Sequence, residues 1–156
     1  VIFTIMLLPF VFLQYPIGLL ADKRYGEKEL LALCILITIS AMVGVVTYSE
    51  KHLLAWGAIL FMTRVGIAGI EVLRDSYFYK QIDGSDIHII AFFRTARPVA
   101  SMAGAVIAVA MLSFFQIPTL FIAVIAGLFF ALFHVFRLED TESEYDIARK
   151  ASVPLA

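Results

Sequence analysis

Not one residue from Val1 to Ala21 carries a charge, and no other feature of the chain limits its folding so sharply. Backbone polar groups in hydrocarbon have no water to bond, so an apolar stretch of about 20 residues reads as a helix long enough to cross a bilayer. Pro9 and Pro16 lie inside this run. Membrane helices tolerate such prolines, because neighbouring groups re-satisfy the freed carbonyls. The run therefore predicts one kinked span. Composition agrees: 62% of the residues are hydrophobic and the mean hydropathy is +0.93, against an apolar share of about 45–50% in soluble domains. The runs also lack the polar face that a soluble helical bundle would need.

Four more spans follow. Glu27 and Glu29 sit at the start of the second, the favourable end for anions, and it runs uncharged to about Tyr48. Its Ser40 and Gly44 form a small-x-x-x-small pair, which predicts close approach by another helix. Ser49-Glu50-Lys51-His52 is a short turn, so the second and third spans are antiparallel neighbours. The third begins near Leu53, carries Arg64 and Glu71, and continues through Arg74 to Lys80 until Asp83-Gly84 breaks it. The fourth is capped by Ser85 or Asp86 and carries His88, Arg94 and Arg97 early, with Pro98 predicting a local kink. Phe114 to Pro118 makes the next turn, with Pro118 suited to the first position of the fifth span, which ends near Phe136. Residues 1–137 thus form an all-α membrane bundle, and the acidic stretch from Glu139 opens a solvated tail over residues 138–156.

Loop charge orients the bundle. Lys23, Arg24, Lys28, Arg74, Lys80, Arg137, Arg149 and Lys150 fall on one side, and only Lys51 on the other. The positive-inside rule puts the larger group, and with it the C-terminus, in the cytoplasm. The net charge of −1 has no basic face that would suit nucleic acid. Cys34, the single cysteine, lies within an apolar run and reads as a small buried hydrophobe. No pattern of residues calls for a cofactor or a metal. With no initiator Met and no cationic leader before the first run, the chain reads as a fragment.

Between the first two spans lies Gly18-Leu-Leu-Ala-Asp22-Lys23-Arg24-Tyr25-Gly26-Glu27-Lys28. Gly18, Leu20, Ala21, Asp22, Lys23, Gly26 and Lys28 resemble the cytoplasmic loop signature of the major facilitator superfamily, G-x-L-A-D-[RK]-x-G-[RK]-[RK]. One extra residue separates Asp22 from Gly26, and Glu27 stands where a cation is usual. Met62-Thr-Arg64-Val-Gly66-Ile-Ala-Gly69 resembles the family's R-x-x-x-G motif, with the glycine spacing shifted by one. The resemblance implies the last five helices of a six-helix half, with the second, C-terminal half favoured because the fifth span runs into a terminal tail. It further implies that the third span lines a central cavity, the first and fourth meet the missing N-terminal half, and the second and fifth face lipid. The implied function is secondary transport of a small solute by alternating access, possible proton coupling included, in the plasma (inner) membrane.

An ionisable side chain at membrane depth costs about 2.5–3.5 kcal/mol on insertion scales, so Arg64 and Glu71 need a reason to be there. They are two helical turns apart, on one face but about 10 Å apart along the axis. That favours a shared wet cavity over a direct pair, and makes them candidates for a substrate or proton pathway. Arg94 and Arg97 share a face at i, i+3; they either snorkel to the interface or meet Glu71 or Asp75. By the resemblance, Asp22, Lys23, Gly18 and Gly26 belong with them to a gate or charge latch. Two other classes stay open: a non-transporting scaffold or receptor, and an intramembrane enzyme. The last lacks a histidine at the depth of Ser101 and any G-x-S-x-G around it.

Overall fold

The computed structural model describes residues 12–13, 15–21, 26–50, 52–82 and 86–138. All regular structure among them is helical. Helix α1 is described over residues 15–20; α2 spans Glu27–Thr47, α3 Leu53–Lys80, α4 Ile87–Phe114 and α5 Ile117–Val135. The last four are each long and apolar enough to cross a membrane. With 28 residues, α3 is about 42 Å long at 1.5 Å per residue, so its end projects beyond a hydrocarbon core of about 30 Å.

Gly26 starts α2. Its φ of 72° lies where an L side chain is strained and glycine is not, and its N–H donates to the Ala21 carbonyl at 3.2 Å. At the other end, Trp56 Nε1 donates to the Glu50 carbonyl at 3.0 Å, and its ring meets Tyr48 edge-on at 5.9 Å. That clasp brings α3 back antiparallel to α2. Asp86 holds the N-cap position of α4 and its carbonyl accepts from Ile89 and Ile90, although its side chain makes no capping bond; Ser85 lies outside the described residues. Helix α4 runs unbroken through Pro98. Pro118 is the second residue of α5 rather than the first.

Several hydroxyls inside the spans bond back along their own helices. Thr38 donates to the Cys34 carbonyl at 2.8 Å, Ser40 to Leu36 at 2.8 Å and Thr63 to Ile59 at 3.0 Å. Each is thereby satisfied without a neighbour.

The centre of the bundle is α2, packed against α3 on one side and α5 on another. Leu30, Leu31, Cys34, Ile35 and Ile39 of α2 form the core with Ala21, Leu73 of α3, and Leu132 and Val135 of α5. The exposed residues of α2, Glu29, Leu33, Leu36, Ser40, Val43 and Thr47, lie along one stripe. The closest crossing differs from the expected one. Gly66 and Gly69 of α3 lie directly on Thr38 and Cys34 of α2, where even a methyl group would collide. Ser40 is exposed, and a Cβ on Gly44 would sit at an ordinary 3.5 Å from Ile59. Small residues on one helix permit close approach, but the glycines of the neighbour decide where it happens. Helix α4 contrasts with all this, burying none of its residues.

Candidate functional site

Helical periodicity places Arg64 and Glu71 together on the face of α3 turned away from α2. Seven residues return the helix to within about 20° of its starting direction. Gly66 and Leu73 are likewise seven apart and mark the opposite, buried face. Arg64 is half-buried and makes no ion pair among the described residues.

Glu71 is paired across to α4: Arg97 Nη2 donates to Glu71 Oε1 at 2.7 Å. The Arg97 side chain is 59% exposed and that of Glu71 26%, and pairs this open to solvent are worth about 0–1 kcal/mol. The pair therefore contributes little to holding the fold. Of the expected meetings between the arginines of α4 and the acids of α3, this is the one observed as an ion pair. Asp75 instead accepts from its neighbour Arg74, through Nε at 3.0 Å and Nη2 at 2.7 Å.

Aromatic rings set the spacing of α3 and α4 at this end. Phe78 stacks on Phe93 with centroids 3.6 Å apart, Tyr79 meets Phe93 edge-on, and the Arg74 guanidinium lies over the Phe93 ring at 5.5 Å. Beside this stack, Arg74, Asp75, Tyr79, Phe93, Arg94 and Arg97 line a cavity of about 250 Å³.

A second cluster joins the start of α2 to the end of α3, and reading the residues did not single it out. Glu27, fully buried, forms an ion pair with Lys80 and accepts from Ser76 Oγ at 3.1 Å. Ser76 and Lys80 are one turn apart on α3, so they present donors to the same carboxylate. Burial of a charge is tolerable only when it is paired and hydrogen-bonded; here both conditions hold. The signal was Glu27 itself, an anion where the loop pattern wants a cation.

Of the loop residues, Asp22 and Lys23 lie outside the described residues. Gly18 sits in α1, where an added Cβ would be 3.9 Å from Val72 of α3, and Gly26 makes the turn into α2. Residues 1–155 match the family model described as Major Facilitator Superfamily. No curated protein and no solved structure matches the chain.

Proposed function

Because the chain belongs to the Major Facilitator Superfamily, we propose that it is one helical bundle of a secondary transporter that moves a small solute by alternating access. The observation that carries this is the exposed Arg97–Glu71 pair bridging α3 and α4, with Arg64 on the same face of α3. A rocking bundle needs contacts that break and re-form at low cost, and this pair is of that kind. The second bundle, the partner in this reading, covers the bare face of α4.

Arginine stays protonated, whereas a carboxylate can gain or lose its proton as solvent access and cationic neighbours change. Glu71 is the proton carrier in this scheme. Arg64 is the fixed anchor for an anionic group on the solute. Arg94, Arg97 and, by resemblance, Asp22, Lys23, Gly18 and Gly26 form the inner gate, with the C-terminus in the cytoplasm and the bundle in the plasma membrane.

The test is solute flux in proteoliposomes by the full-length protein, both bundles present, against a substrate panel, with two variants beside the parent. Glu71→Gln leaves exchange of bound solute largely intact but weakens accumulation driven by a proton gradient. Arg64→Lys keeps the charge, loses the planar fork and weakens binding itself. If both variants insert stably and transport like the parent, the site assignment is wrong.

A further inference from the structure

The cavity between the ends of α3 and α4 collects three guanidiniums, those of Arg74, Arg94 and Arg97, around a single carboxylate, Asp75. Asp75 is already engaged by Arg74. Arg97 is held from the side by Glu71. Arg94 is exposed and makes no hydrogen bond or ion pair among the described residues. One positive charge is therefore left over after both acids are used. We propose that this cavity binds an oxyanion of the phosphate class, with Arg94 as its principal ligand and Arg97 and Arg74 as secondary ones.

Three features favour that chemistry. Arg94 and Arg97 are three residues apart on one helix, about 5–6 Å between Cβ atoms, so their forks can grip a tetrahedral anion from two sides. Planar guanidinium groups make paired, charge-assisted bonds to phosphate oxygens, and phosphate has enough acceptors to serve several at once. The volume of about 250 Å³ falls below the range of about 300–1,000 Å³ usual for drug-sized ligands. It suits a phosphate group with little attached inside the cavity.

Depth points to where such a group comes from. Arg74 lies in the last two turns of α3, a helix longer than the hydrocarbon core is thick, and so near the level of lipid headgroups. The phosphate of an anionic phospholipid and that of a soluble phosphate ester share the chemistry the cavity recognises, and they can be told apart by experiment. Neither depends on the transport scheme above, because binding is measured without a gradient.

Thermal unfolding of the purified protein, both bundles present, is followed in detergent by circular dichroism. The probes are inorganic phosphate against chloride at matched ionic strength, and short-chain phosphatidylglycerol against short-chain phosphatidylcholine. Saturable stabilisation by phosphate or by phosphatidylglycerol is expected, with the half-saturating concentration raised at least tenfold in Arg94→Gln and by a smaller factor in Arg94→Lys. Stabilisation by phosphate assigns the site to a soluble oxyanion; stabilisation by phosphatidylglycerol alone assigns it to a lipid headgroup. The proposal is overturned if neither probe outdoes its control. It is overturned equally if the Arg94 variants, unfolding at the parent's temperature in chloride, respond as the parent does. Should Arg94→Gln fail to fold, Arg94→Lys with an unchanged response has the same force.

Discussion

Gly66→Ala tests the α2–α3 crossing. A Cβ built on Gly66 collides with Thr38 Oγ1 and lies 3.0 Å from the Cys34 carbonyl oxygen and 3.1 Å from the Thr38 backbone nitrogen. The hydroxyl can turn aside, but the two backbone atoms can retreat only if the helices separate. Overpacking of this kind costs about 1–3 kcal/mol, offset by about 1 kcal/mol of helix preference for Ala over Gly. Because backbone supplies two of the three contacts, we expect the upper part of that range, a net loss of about 2 kcal/mol. Gly69→Ala differs, since its nearest neighbour is the Cys34 thiol, with Cys34 Cβ next at 3.3 Å. Its net loss is about 1 kcal/mol. Cys34→Ala, by removing the sulfur, returns the Gly69→Ala variant to the stability of Cys34→Ala alone, an interaction energy of about 1 kcal/mol. Thr38→Ala relieves Gly66→Ala only in part, leaving about 1 kcal/mol of strain against the backbone. Reversible unfolding in mixed micelles, followed by circular dichroism, measures all four quantities. Gly66→Ala as stable as the parent, or completely rescued by Thr38→Ala, would refute the reasoning.

Three further outcomes are expected. Lys80→Glu sets two anions together at the buried Glu27 and lowers the folded yield in detergent. The double exchange Glu27→Lys with Lys80→Glu regains much of it; equal yields for the single and double variants would count against the pair. A reporter fused after Arg137 reports cytoplasm and one inserted at Glu50 reports the opposite side, as loop charge predicts; the reverse pattern would sink the assigned orientation. Arg97→Gln lowers unfolding stability by no more than about 1 kcal/mol, because the pair it removes is open to solvent. A much larger loss in the micelle titration would mean that this contact holds the fold.

The four spans from Glu27 onward were legible in the sequence, because hydrophobic runs and charged breaks act locally. Helix α3 was expected from near Leu53 to Lys80 and is found over Leu53–Lys80; α2 was expected to end near Tyr48 and ends at Thr47. The level of the charges along α3 and α4 was legible too, which is why Arg94 and Arg97 could be set against Glu71 and Asp75, although level alone could not choose Arg97 for Glu71. Contacts between distant segments were not. Glu27 meets Ser76 across 49 positions, and nothing local in either segment announces the other. Ser40 and Gly44 marked α2 as able to accept a close neighbour, but the crossing point depends on where the grooves of α3 lie, and Gly66 and Gly69 put it one turn or more away. The stack of Phe78 on Phe93 is hidden for another reason, since aromatic residues are common throughout this chain.

Helix α4 is moored to the bundle at one end. Arg97 and Phe93 tie it to α3, while none of its residues is buried and it passes into α5 through Phe115 and Gln116. Within this bundle it is a cantilever. From Arg97 to Phe114 the arm is about 26 Å long at 1.5 Å per residue, so a tilt of about 10° at the mooring carries the tip some 4–5 Å sideways, roughly half the usual distance between packed helix axes. A sub-ångström change at the Arg97–Glu71 contact is thus geared up several-fold at the far face, whereas the α2–α3 pair, locked backbone against backbone, turns only as one piece.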